Sequence, residues 1–124
     1  TVPSNNKDRY YEIERKAKEL IKYIDVYTRH FPKYQKYVLG ERLRNQSQDL
    51  IDLIITINKK HYKKTDLSLL DVRHEQLRVN TNISYELELV EEYRYRHLAN
   101  LINEIGRMIG GWLKTINSIE NGKN

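Results

Sequence analysis

Apolar residues recur at alternating steps of four and three along almost the whole chain, a spacing that confines it to packed amphipathic helices. Ile13, Ala17, Leu20, Ile24, Tyr27 and Phe31 form the first such seam. Pro32 closes it, because proline brings no amide hydrogen to the helix ladder and disfavours helical backbone in the residue before it. A second seam runs through Leu39, Leu43, Gln46, Leu50, Leu53, Ile57 and His61. A further stripe, Val38, Ile51, Ile54 and Ile55, widens that face, so this helix is expected to touch neighbours on two sides. Gly40, early in it, is a candidate point of close approach.

The break His61 to Asp66 precedes a third helix that Thr65 or Asp66 is expected to cap. This helix carries two candidate seams: Leu67, Leu70, His74, Leu77 and Thr81, or Leu70, Leu77, Ile83 and Leu87. Its run V-N-T-N-I-S is weak in helix formers, and a strand over Arg78 to Ser84 is the alternative there. The flanking periods favour helix to about Leu87, then a short turn near Glu88 to Val90. Glu91 and Glu92 suit the first turn of the last helix, where the dipole favours negative charge. That helix is expected to bury His97, Leu101, Ile105, Met108, Trp112, Ile116 and Ile119.

Four such helices with short links predict an all-α, up-down-up-down four-helix bundle. Residues 8–119 would form it, with a disordered tail over 1–7 and a frayed end over 120–124. A chain of 124 residues buries a sufficient core without disulfides or metal, and there is no cysteine to supply either. No apolar run is long enough to span a membrane. The polar stretch Thr1 to Asp8 lacks the apolar core of a signal peptide, so a cytoplasmic setting is expected.

The last helix holds an anomaly. Gly106, Gly110 and Gly111 lie inside it, and each interior glycine costs roughly 1 kcal/mol relative to alanine. Gly106 and Gly110 share a face, so a neighbouring helix or subunit is expected to come close there, with Trp112 filling the space beside it.

Little in the chain points to catalysis. A di-iron bundle needs two inward Glu-x-x-His pairs, and the nearest match is the single pair Asp71 and His74. His74 reads better as a core histidine with a hydrogen-bond partner. None of His30, His61, His74 and His97 has an arginine at the distance used by helical RNA-cleaving bundles. No phosphate-binding glycine loop follows a strand. The expectation is a non-enzyme without cofactor or metal.

The net charge of +5 and pI of about 9.3 point instead to a polyanionic partner. Lys59, Lys60, Lys63 and Lys64 bracket the second break, with Tyr62 placed among them to stack on a base. Arg73 and Arg78 follow on the third helix, and Arg42 and Arg44 open the second, after Lys33 and Lys36. Asp49, Asp52, Glu86 and Glu88 are placed away from the lysine cluster. Arg42, Arg44, Lys59, Lys60, Lys63, Lys64, Arg73 and Arg78 form the expected nucleic-acid face, neutralising phosphates without regard to sequence.

Two stretches carry a family resemblance. H-F-P-K-Y-Q-K-Y-V-L-G-E-R-L-R, from His30 to Arg44, is similar to the signature of small four-helix-bundle proteins, including those encoded in intervening sequences of ribosomal RNA genes. E-I-G-R-M-I-G-G-W-L-K, from Glu104 to Lys114, resembles the accessory variability determinant (Avd) family of diversity-generating retroelements. The resemblance implies a homopentameric barrel of bundles with a positively charged outer surface. It implies a non-catalytic partner of a reverse transcriptase that copies template RNA into mutated complementary DNA, so that enzyme, RNA and DNA are the expected partners. It also implies that Arg78, and less directly Arg73, belong to the family's basic surface. An intervening-sequence bundle protein and a helical adaptor that binds no nucleic acid are the alternatives.

Overall fold

A computed structural model describes residues 6–122, with side chains described for 8–119. All described secondary structure is helical. The elements are α1 (Asn6–Arg29), the single-turn α2 (Lys33–Lys36), α3 (Leu39–Lys59), α4 (Lys64–Glu86) and α5 (Glu92–Gly122). Residues 1–5 of the expected tail and 123–124 of the expected frayed end lie outside the described residues, while 6–7 belong to α1 and 120–122 to α5. α1, α3, α4 and α5 pack in a ring in that order, each touching the next and α5 closing back on α1. Successive short links make neighbours antiparallel, which is the up-down-up-down bundle. Residues 78–84 are helical, so the strand alternative does not hold there.

The core is the sum of one seam per helix. Ile13, Ala17, Leu20, Ile24 and Tyr27 of α1 are wholly buried, and Phe31 just beyond it nearly so. In α3 the buried line is Leu39, Leu43, Ser47, Leu50, Ile54 and Ile57. The expected Gln46 and Leu53 lie one position to the side and are half-buried, while His61 is exposed beyond the helix end. Ser47 takes the central place because its hydroxyl folds back onto the Arg44 carbonyl at 2.8 Å, leaving a small surface for neighbouring helices. In α5 the line is Leu98, Leu101, Ile102, Ile105, Ile109 and Trp112. His97 and Ile119 are exposed, and Met108 and Ile116 pack at the margin. In both helices the stripe is wide enough to be entered one residue off phase.

In α4 the first candidate seam faces inward: Leu67, Leu70, His74, Leu77, Thr81 and Ser84 are buried. Ile83 and Leu87 of the rival seam face outward. Two of the buried polar groups are matched across the core. His74 Nε2 lies 2.7 Å from the Ile102 carbonyl, so that ring nitrogen carries the proton and donates it. The Ser84 hydroxyl donates to the Thr81 carbonyl at 2.6 Å and accepts from the Tyr27 hydroxyl at 2.7 Å. Burial pushes the Tyr27 hydroxyl pKa up to about 12.

The glycines divide by function. A Cβ on Gly106 would sit 2.8 Å from His74 Cε1 and 3.0 Å from Nε2, so this glycine admits the His74 ring of α4. Gly40 comes close as expected, its Cβ position lying 3.4 Å from both the Gln35 carbonyl and Phe31 Cδ2. Gly111 has the Arg9 guanidinium at 3.4 Å, and Gly110 faces open space in the single bundle. Trp112 is buried in its own chain's core.

The start of α4 differs from expectation, while its end falls near Leu87 as expected. α4 starts at Lys64, which places Thr65 and Asp66 inside its first turn, and neither caps it. Instead Lys63 Nζ reaches back to the Ile57 and Lys60 carbonyls, each at 2.7 Å, and closes the end of α3. α4 ends in a Schellman motif, with Leu89 N–H donating to the Ser84 carbonyl at 3.0 Å and Glu88 N–H to Tyr85 at 2.9 Å. Glu88 takes the left-handed position, with φ of 60°, which favours glycine. The buried Leu89 completes the motif.

Glu88→Gly is therefore expected to raise stability by about 1 kcal/mol in urea denaturation. The glycines of α5 give a paired test. Gly106→Ala overpacks the fixed His74 ring and costs about 1–3 kcal/mol. Gly110→Ala meets nothing and gains about 0.5–1 kcal/mol of helix propensity. A loss at Gly110 in the same measurement would mean that another chain lies against it.

Candidate nucleic-acid interface

The basic residues that the sequence groups together do not form one surface. Arg42 and Arg44 stand at the start of α3 and Lys59 at its end, 17 positions on. At 1.5 Å per residue that is about 25 Å, the height of the bundle. Antiparallel packing then gathers Lys59, Lys60, Lys63 and Lys64 at one end, with the start of α1 and the end of α5. Arg42 and Arg44 sit at the other end, with α2 and the α4–α5 turn.

Within each group the charges have different roles. Lys63 is held by the α3 carbonyls, and burial draws its pKa below the ordinary value. Lys60 pairs with Asp66 at 2.8 Å, so an acid stands inside the lysine cluster. Lys59 and Tyr62 are exposed, and so is Lys64. At the opposite end Arg44 points inward, donating to Thr28 Oγ1 at 3.1 Å and to the Lys36 carbonyl at 3.4 Å. It is a strut between α1, α2 and α3, which spends its guanidinium donors on the fold. Arg42 is exposed.

Arg42 and Arg73 do meet. Both line a groove between α3 and α4, together with Val38, Asn45, Gln46 and Gln76. Arg73 Nη1 donates to Gln76 Oε1 at 3.0 Å. Glu41 and Asp49 line the same groove, and Asp52 joins Arg73 in the hollow beside it. Asp49 and Asp52, expected away from the lysine cluster, thus stand beside Arg73. Helix periodicity brings Asp49 and Asp52 to the α4 side of α3, where sequence distance is no guide. Arg78 is engaged by Glu75 through two hydrogen bonds of 2.7 and 2.5 Å. That bond holds the Glu75 carboxyl below its ordinary pKa and raises that of Arg78. Both side chains are well exposed, so the pair opens easily to a phosphate.

One outward face of α4 is apolar. Leu69, Val72, Val79, Ile83 and Leu87 are all exposed, and with Gln76 they repeat at steps of three and four. This is a second helix-packing seam with no partner inside the bundle. Arg73 and Arg78 border it.

Sequence reasoning gave no role to Tyr34 and Tyr37, the two most exposed aromatic side chains at the α2 end. The alternation K-Y-Q-K-Y was the available signal. Among the described residues no three His, Asp or Glu side chains gather to hold a metal; Asp71 is exposed, while His74 turns into the core. No described helix is long and apolar enough to cross a membrane.

No curated relative matches the chain. A family model described as bAvd-like matches residues 12–116. The match enters all four long helices and includes the His74–Gly106 contact, both arginines bordering the outer seam of α4, and the α2 end. The chain belongs to the bAvd-like family.

Proposed function

We propose that the protein is a non-catalytic accessory subunit of a diversity-generating retroelement. It would act in the cytoplasm, holding template RNA and complementary DNA against the reverse transcriptase during mutagenic copying. The observation that carries this reading is membership of the bAvd-like family across residues 12–116.

The geometry supports the division of labour that the reading requires. The outer seam of α4 gives bundles an apolar face through which to associate, as a homopentameric barrel needs. Its bordering arginines, Arg73 and Arg78, would then lie along the seam between subunits. There they would contact phosphates or the acidic surface of the enzyme. Lys59 and Lys64, with the exposed Tyr62, would extend the basic surface at the lysine end of each bundle. Arg42 would do so in the α3–α4 groove. Repetition around a ring multiplies such weak, salt-dependent contacts into useful affinity.

Light scattering is expected to give a mass near five chains, and Val72→Glu with Val79→Glu to release monomers that keep their helical circular dichroism. A monomeric wild-type protein would overturn the assembly. Arg73→Ala with Arg78→Ala is expected to leave folding intact and weaken filter-retained RNA at low salt. It should also flatten the logarithmic salt dependence by roughly one unit per arginine. Unchanged affinity would move the RNA site off this face. The accessory role itself is read by reconstitution: the cognate reverse transcriptase should copy its template only when the protein is present.

A further inference from the structure

The connection between α1 and α3 does more than turn the chain. Only three residues separate α1 from α2, and two separate α2 from α3. From underneath, α2 is fixed at several points. Phe31 is buried and meets the Tyr27 ring edge-on, with centroids 5.7 Å apart. Gly40 brings α3 up against the Gln35 carbonyl. Arg44 holds the Lys36 carbonyl while bonding Thr28 of α1. The turn itself is closed by Gln35 and Lys36 N–H groups, both donating to the Pro32 carbonyl at 2.9 Å.

What this rigid mount displays is unusual. Tyr34 is 71% exposed and Tyr37 65%, and they stand three residues apart, so they project from the same side. Lys33 and Lys36 interleave with them, and neither is paired with a carboxylate among the described residues. No acid lies between Arg29 and Gly40. Beyond the tyrosines, exposed Val38 and Arg42 line the α3–α4 groove.

Two rings held out in water cost apolar exposure, and a fixed support lowers the loss of backbone freedom that an encounter would otherwise cost. A second copy of the same patch is a poor occupant, because it would set lysine against lysine. An anionic ligand with flat, unpaired faces suits both parts. Tyrosine rings stack on bases, and the interleaved ammonium groups take the phosphates between them. A duplex offers only its phosphates here, since its base faces are already stacked.

We propose that α2 is a stacking platform for single-stranded nucleic acid, with Tyr34 and Tyr37 against successive bases and Lys33 and Lys36 on the backbone. It lies at the opposite end of the bundle from the lysine cluster and adjoins the groove that holds Arg42 and Arg73, so each bundle has its own contact for the unpaired strand there. The platform rests on the nucleic-acid part of the function proposed above, and its test separates the two.

The probe is fluorescein-labelled oligo(dT), read by anisotropy beside a duplex of equal length, with the full chain. Tyr34→Ala with Tyr37→Ala is expected to weaken single-strand binding by about tenfold or more and leave duplex binding unchanged. Tyr34→Phe with Tyr37→Phe should retain the wild-type affinity, since stacking needs the ring and not the hydroxyl. Lys33→Ala with Lys36→Ala should weaken both probes and reduce the single-strand salt slope by roughly 1.4. Unaltered single-strand binding by the double alanine variant overturns the platform while leaving the proposed function intact. A change in that variant's mass by light scattering also overturns it, assigning the patch to a contact between copies. A wild-type protein that binds neither probe overturns both readings.

Discussion

The bundle depends on which of two seams of α4 faces inward. On helix period alone the outer line of Leu69, Val72, Val79, Ile83 and Leu87 is the more apolar, and the inner line includes His74, Thr81 and Ser84. The polar line wins because the other helices are built to receive it. Gly106 clears a space for the imidazole, the Ile102 carbonyl accepts its proton, and the Tyr27 hydroxyl reaches Ser84. A buried polar group without a partner costs roughly 1–3 kcal/mol, so these matches fix the rotation of α4 as firmly as its leucines do. Rotating α4 to bury the outer seam would break both bonds and leave Gly106 facing a gap. The specificity of the core therefore leaves an apolar face outside, and the surface of the molecule follows from that.

This explains why the fold was legible in the sequence while the phases were less so. Proline at 32 and the alternating steps of four and three located every long helix. In α1 the expected line is the buried line, because only one stripe is apolar. In α3 and α5 the stripe is wide, and the buried line passes through Ser47 and Ile109 instead of Gln46 and Met108. The expected and buried lines part only at single positions, since Leu39, Leu43, Leu50 and Ile57 of α3 and Leu101, Ile105 and Trp112 of α5 belong to both. Serine at a core position is invisible to a search for apolar residues. So is the Schellman motif at Glu88, where the left-handed residue is not glycine.

The basic face was legible as composition and not as geometry. Lys59 to Lys64 are neighbours in sequence and in space, yet Lys63 is consumed in capping α3 and Lys60 in pairing Asp66. Arg44 read as a surface charge and is an internal strut. Arg42 and Arg73 are far apart in sequence and line one groove. Charge counting treats all of these alike, whereas a guanidinium already holding two oxygens offers fewer donors to a phosphate.

The G-x-x-x-G-G-W stretch of α5 changes meaning in the same way. Its glycines look like one device for close approach, but each meets a different surrounding. Gly106 serves the core by admitting His74, Gly111 meets Arg9 of α1, and Gly110 opens outward. Trp112 anchors the lower core within its own chain. The costly glycine at 106 is thus the counterpart of the polar seam of α4. Without it His74 would lose its place, and the rotation of α4 would rest on its leucines and on the Tyr27–Ser84 bond alone. The interface proposed between bundles would require that every copy present the same residues at the same angle. A missing side chain in α5 serves that requirement by helping to fix the rotation of the helix opposite.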